Sequence, residues 1–310
     1  MLTYICKRLL MLIPVMLGIS FIIFSIMSLT PGDPARLILG EGADPADIAA
    51  LQKQMGLDDP FFVRFFSYVQ NAVQGDFGRS YRTRIPVFTE LFSCLPTTLQ
   101  LNIYAILLAI LIGIPIGILS AVKQYSMLDT VSLLTSLLMT SLPGFWLGMM
   151  LILIFAMQLG WFPVTGAGNL RSFVLPAVAC AMPTLAALIR MTRSTMLEVI
   201  RQDYIRTARA KGASERSVVF YHALRNALLP VITVVGTNFA FQMGGTVIIE
   251  SVFALPGVGS LMITAVRMKD TPMVMACILF VAIMAGIVNL LVDIAYTLVD
   301  PRIKVIYAKR

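Results

Sequence analysis

The sequence predicts an all-α polytopic membrane protein with six transmembrane helices, and three observations predict it. Of 310 residues, 58% are hydrophobic and only 13% charged, against roughly 25% charged in a soluble domain. Six long runs carry no charge, at 9–32, 91–122, 130–170, 172–189, 226–249 and 271–292. Each reaches the ~18–20 residues that carry a helix across ~30 Å of hydrocarbon, where a charge costs several kcal/mol. None shows the alternation of a membrane barrel strand.

The first run, "LLMLIPVMLGISFIIFSIMSL", follows Lys7 and Arg8. It is longer than the ~7–15 residues of a signal-peptide core and no A-x-A cleavage pattern follows it, so it is expected to stay as the first span. The segment 30–95 is expected to fold outside the bilayer. Asp44 and Pro45 form an N-cap and first-turn pair, with Asp47 behind and Gly56 as a stop. Asp59 and Pro60 repeat the device before Phe61, Phe62, Phe65, Phe66 and Val69 at helical spacing, then Gly75. These aromatics suit packing on the spans and lipid headgroups, or presentation to a soluble partner; both readings are open.

The run 130–170 is long enough for two helices. However, "SLPGFW" interrupts it and "QLGWFPVTGAGN" reads as a Gly/Pro turn, so one helix kinked near Pro143 and followed by an external loop is expected. Gly113/Gly117 and Gly144/Gly148 form two G-x-x-x-G patterns suited to close helix packing. In the fifth run Thr233, Thr237, Asn238 and Gln242 follow Pro230 at near-helical spacing. They suit either a polar passage or interhelical hydrogen bonds, worth ~0.6 kcal/mol each.

Charge orients the chain. With six spans and both termini inside, the inner segments hold 15 basic and five acidic residues, a net +10. The outer segments hold nine basic and ten acidic, a net −1, and Asp293 lies in the last span. Lys and Arg accumulate on the cytoplasmic side, so N- and C-termini are expected in the cytoplasm. The net charge of +8 is thus an orientation signal and needs no nucleic acid.

Several chemistries are missing. Cys6, Cys94, Cys180 and Cys277 are scattered without C-x-x-C spacing, and His222 is the only histidine. No G-x-x-x-x-G-K-[ST] phosphate loop occurs, and no nucleophile–base pair, paired carboxylates or metal cluster marks a membrane enzyme. The remaining alternative class is an ion-coupled secondary transporter. Such proteins place ionisable groups near the midplane, and only Asp293 is a candidate, toward the inner end of its span.

The segment "DYIRTARAKGASERSVVFYHALRNALLP", 203–230, is basic and polar between two apolar runs. Read from Met196, it places Leu197, Ile200, Tyr204, Ile205 and Ala208 on one helical face, with Arg201, Arg206, Arg209 and Lys211 on much of the rest. Gly212 stands where a left-handed terminal residue is needed. Ser214 opens a second short amphipathic helix before re-entry after Leu229 and Pro230. Three readings are open: a helix on anionic lipid, a docking element using small Ala208 and Gly212, or a solvated loop.

That segment resembles the cytoplasmic coupling loop of ABC-importer permeases, E-A-A, three residues, G, with a later L-P. Here the matching residues are Arg206, Thr207, Ala208 and Gly212, then Leu229 and Pro230. Two of the three leading letters differ and the Gly to L-P distance is longer. "DYIRTARAKGAS" and "HALRNALLPVIT" are similar to the branch serving dipeptides, oligopeptides, glutathione and nickel. So are "TPGDPARLILG" (30–40), "NAVQGDFGRSY" (71–81), "PTTLQL" (96–101), "ESVFALPGVGSLMITAV" (250–266) and "DPRI" (300–303).

The resemblance implies a type I ABC-importer permease fold in a bacterial inner (cytoplasmic) membrane. Its parts would be 1–95, the first span with an external segment 30–95; a core 96–300 with a coupling loop 190–228; and a tail 301–310. It implies a second permease, two ATP-binding subunits that hold ATP and Mg, and an extracytoplasmic solute-binding protein, with no cofactor in this chain. Asp203, Tyr204, Arg206, Ala208 and Gly212 would couple to the ATPase. Thr237, Asn238 and Gln242 would line the pathway. Glu250, Pro256 and Gly257, at the Pro/Gly break "ALPGVGSL", would form an external gate or meet the binding protein; Glu250 also suits a structural role.

Overall fold

The computed structural model of this chain describes residues 2–40 and 42–299. The tail 301–310 and the "DPRI" resemblance therefore lie outside the described residues. In chain order the helices are α1 (Leu2–Leu29), α2 (Pro34–Leu39), α3 (Pro45–Gln54), α4 (Phe61–Val73), α5 (Val87–Val122), α6 (Met127–Ser141) and α7 (Gly144–Leu151). They continue with α8 (Arg171–Ile200), α9 (Asp203–Ala210), α10 (Glu215–Ser217), α11 (Leu224–Gly245), α12 (Val247–Val252), α13 (Val258–Arg267) and α14 (Thr271–Val299). Outside helices the described residues hold one isolated antiparallel bridge, Arg79 to Pro86.

The helices are long because a backbone in lipid must satisfy its own polar groups. Pro96 and Pro115 in α5, and Pro176 and Pro183 in α8, leave those helices continuous. α5 and α8 form the centre. Gly113 and Gly117 turn to α8, where an added methyl would lie 3.0 Å from Leu188 and 2.6 Å from Thr192 Cβ. Around them Leu101, Ala105, Ala109, Ala181, Leu185 and Leu188 are buried. α11 and α6 pack on α8, while α14 packs on α11 and α1 packs on α14.

Among the described residues five helices are each long and apolar enough to cross a membrane, or six if the bent pair Met127–Ser141 and Gly144–Gln158 is one span. The kink expected near Pro143 is a break of 100°. Proline disfavours the helical conformation in the residue before it, and here Leu142 and Pro143 are both extended, at ψ 128° and 131°. Beyond α7 the backbone widens into a π-helical stretch, Ile152–Gln158, and turns off at Gly160 (φ +65°).

The segment between α1 and α5 folds onto one end of the bundle, here called the cap end. Asp44 caps α3, accepting from the Ala46 amide at 2.9 Å. Asp59 does not repeat the device; Pro60 is the N-cap of α4 and no side chain caps it. Phe61 and Phe65 pack on Phe21 and Phe24 of α1, with ring centroids 5.3–5.9 Å apart. Phe62 and Phe66 stay exposed. Two side chains just before α14 fasten the cap: Lys269 donates to the carbonyls of Thr30, Pro31 and Gly32 at the end of α1, and buried Asp270 accepts from Ser80. Between these parts lies an open pocket of about 400 Å³, lined among others by Arg64, Tyr68, Arg79 and Arg84.

Candidate functional site

The opposite end of the bundle carries the basic segment. α8 stops at Ile200, a turn follows at Arg201 and Gln202, and α9 starts at Asp203. The single helix expected over 196–211 is therefore two. α9 is held by one apolar residue: Ile205 is fully buried among Ile118, Ala121, Met196, Val218 and Val219. Around it Asp203, Tyr204, Arg206, Thr207 and Arg209 are exposed, and Ala208 is half-buried. Arg206 and Asp203 lie 3.6 Å apart at side-chain exposures of 74% and 96%, a pair too hydrated to hold a shape. The Tyr204 hydroxyl accepts from Asn226 at 2.9 Å, which ties α9 to α11.

The C-terminus of α9 is more rigid. Gly212 has φ +81°, and its amide donates to Arg209 O at 2.9 Å while the Ala213 amide donates to Ala208 O at 3.2 Å. These two bonds make a Schellman motif, which favours glycine at the left-handed position. Ser214 then caps the next helix, accepting from the Ser217 amide at 3.3 Å. Across the turn the Arg209 guanidinium grips Glu215 through both oxygens, at 2.7 and 3.1 Å. The second helix is not short. It passes through a π-helical stretch (Val218–Ala223) and Pro230 into the apolar run without a break, giving one span, Glu215–Gly244. The site is thus a short cationic helix on an apolar anchor, between a turn and a locked corner.

The other predicted site residues do not meet it. On α11, Gln242 is buried and donates to Thr184 Oγ1 at 2.9 Å and Cys180 O at 3.1 Å of α8. Asn238 Nδ2 bonds its own helix at Val234 O, 2.7 Å, with Thr184 beside its oxygen. Both side chains thus make helix hydrogen bonds, one of the two readings the sequence left open. Thr237 is exposed, its hydroxyl turned back to Thr233 O at 2.8 Å. Near the cap end, Pro256 is exposed but Glu250 is fully buried. Its carboxylate accepts from Thr98 Oγ1 at 2.7 Å, Thr246 Oγ1 at 3.3 Å and the Ser260 amide at 3.0 Å. Glu250 therefore faces inward and offers no surface to a soluble partner. Gly257 is buried against that carboxylate, where a methyl would collide.

The sequence reading missed a group near α9: Asp129 of α6 bonded to Arg193 of α8 and Ser120 of α5. The available signal was that Asp129 borders one charge-free run and Arg193 lies just beyond another. Asp293, the ion-coupling candidate toward the inner end of the last span, is paired with Arg8 at 2.8 Å. No group of three or more His, Cys, Asp or Glu that could hold a metal is present among the described residues.

Similar proteins agree with this architecture. The chain is similar to the dipeptide transport system permease protein DppB of Alkalihalophilus pseudofirmus, 40% identical over 98% of this chain and 100% of the relative. It is also similar to the glutathione transport system permease protein GsiC of Escherichia coli, 41% identical over 98% and 99%. Among solved structures, inward-facing forms of the MetNI methionine ABC transporter align with TM-scores of 0.59 and 0.57 at 19% and 21% identity, covering 69% of this chain and 98% of that one. That likeness speaks for the fold. Residues 1–102 match the N-terminal part of binding-protein-dependent transport system membrane components, and residues 113–305 match their inner membrane component. With both matches spanning almost the whole chain, it belongs to the binding-protein-dependent transport system inner membrane components, the permeases of ABC importers.

Proposed function

We propose that this permease forms half of a translocation pathway for short peptides and is driven through α9 by a separate ATPase. The observation that carries the proposal is the construction of α9. Its one buried side chain, Ile205, is committed to the bundle and Arg209 to the Glu215 corner, which leaves Asp203 and Arg206 exposed on the free face for a partner. The locked corner at Gly212 would turn a push on α9 into motion of α8 and α11, as rigid-body rocking requires. The full importer would contain a second permease, two ATP-binding subunits holding ATP and Mg²⁺, and an extracytoplasmic solute-binding protein. Support for the second permease comes from α11, whose Pro230, Thr237, Phe241 and Gly244 form an exposed stripe at helical spacing. The ends would then be oriented with α9 in the cytoplasm and the cap outside, as the charge asymmetry supports.

The peptide assignment rests on the named relatives. Dipeptide transport is the first reading and glutathione, itself a short peptide, the second; nickel has only the sequence resemblance behind it. The test is accumulation of labelled dipeptide and glutathione by vesicles holding the complete set of subunits. Accumulation should require the ATPase subunits and ATP. Gly212→Arg, strained at φ +81°, should reach the membrane in equal amount and lose accumulation by about tenfold or more. Undiminished accumulation by that variant, or accumulation without any ATPase, would refute the coupling role.

A further inference from the structure

We propose that Asp129 and Arg193 form the joint that passes motion of α9 into α6, and that they are positioning residues for coupling. The inference rests on the reading of α9 as the driven element. The carboxylate of Asp129, with its side chain 4% exposed, receives Nε and Nη2 of Arg193 at 2.6 and 2.8 Å. It also accepts from the Ser120 hydroxyl near the end of α5 and from the Tyr125 amide at 3.0 Å in the α5–α6 turn. One carboxylate thus binds three consecutive pieces of chain to α8. A second arginine strengthens the seam: Arg190 Nη1 donates to Ser136 O of α6 at 3.3 Å.

Three features distinguish this cluster from ordinary packing. Apolar side chains slide past one another with small changes in energy, whereas a bidentate carboxylate–guanidinium pair has one geometry. The turn it holds is strained, because Tyr125 is a non-glycine residue at φ +63°, and its amide is one of the donors fixed by Asp129. Its place in the fold matters as well. Arg193 lies two turns before the end of α8, and α9 follows at once. On its other side the joint holds α6, which ends at the 100° break. The two buried serines of α6 turn back into that helix: Ser132 donates to Leu128 O and Ser136 to Ser132 O, each at 2.7 Å. Asp129 and Arg190 therefore supply the polar grip between α6 and α8. A turn of α8 driven by α9 carries α6 along instead of slipping beneath it.

Removing one partner strands a buried charge and is strongly destabilising, while replacing both by apolar residues of similar volume is often tolerated. The decisive variant is therefore Asp129→Leu/Arg193→Met, assembled with all other subunits in vesicles. Two quantities are read at equal complex abundance: ATP hydrolysed per labelled dipeptide accumulated, and the labelling rate of an added Met127→Cys with and without a nucleotide trap. The unsubstituted chain supplies the labelling background. The joint predicts about tenfold more ATP per dipeptide and loss of the nucleotide-dependent change at position 127. Ser120→Ala, which deletes one neutral hydrogen bond, should raise the ratio by about fivefold and decides the matter if the double variant does not reach the membrane. Wild-type values for the variant tested would overturn the joint, because a merely structural pair loses stability and not stoichiometry. Gly212→Arg run alongside separates the two ideas. If it uncouples while the joint variant does not, only the joint falls; if neither uncouples, the reading of α9 falls too.

Discussion

Glu250 and Gly257 show how one buried side chain organises a corner of the molecule. The carboxylate binds Thr98 of α5 and the Ser260 amide in the first turn of α13, and Thr98 Oγ1 in turn accepts from the Val258 amide at 2.8 Å. An anion near the first amides of a helix is favourable, and Gly257 leaves it room. Glu250→Ala strands these donors, at about 1–3 kcal/mol for an unsatisfied buried group. Gly257→Ala pushes a methyl into the carboxylate. Each should lower the melting temperature in detergent by several degrees. The double variant should lose less than the two together, since the absent carboxylate leaves space for the methyl. Strict additivity would mean that the two positions do not touch.

At the scale of elements, the α5–α8 pair sets how closely the central helices approach. Interfaces in lipid depend on small residues because lipid is as apolar as any side chain. The contact geometry ranks three glycines. A methyl at Gly117 would meet Thr192 Cβ at 2.6 Å and the Ile189 carbonyl at 2.9 Å, one at Gly113 would meet Leu188 at 3.0 Å, and one at Gly18 would meet nothing within 4 Å. Thermal unfolding of the three Gly→Ala variants should follow that order. Gly117→Ala should be most destabilised, by about 1–3 kcal/mol as for overpacking, and Gly18→Ala neutral or slightly stabilised. A Gly18→Ala loss equal to that at Gly117 would refute the assignment of the α5–α8 seam.

Across the whole molecule, what was legible in the sequence is what local chemistry decides. Charge-free length marked the spans, Asp44–Pro45 marked the start of α3, and Gly212 marked a left-handed corner. Features set by distant contacts were not legible. Asp129 finds Arg193 across 64 positions, Glu250 finds Thr98 across 152, and Asp270 finds Ser80 across 190. Asn238 and Gln242 were open between a passage and interhelical bonds because periodicity cannot say which neighbour a polar face meets; within the chain, Gln242 bonds α8. At Pro143 the sequence marked the position of the bend but not its size, which is 100°. A proline in lipid is tolerated or disruptive according to whether neighbours satisfy the freed groups.

The two ends of the molecule are fastened by separate devices, and that separation is testable. The cap depends on Lys269, which closes the carbonyl end of α1, and on Phe65, buried against Phe21 and Phe24. Lys269→Met removes a donor to three carbonyls, and Phe65→Ala opens an aromatic cluster, a change worth about 3–5 kcal/mol in a soluble core. Either should free local opening of the cap, raising proteolysis within 30–75 by about tenfold or more when cleavage follows the open population. Neither residue touches α9, Asp129 or Arg193, which lie at the opposite end of α5, a helix of 36 residues or about 54 Å. ATP hydrolysis by complexes carrying these variants should therefore stay at the wild-type rate while the cap is being cut. A matching fall in hydrolysis would mean that the ends are welded into one cooperative unit.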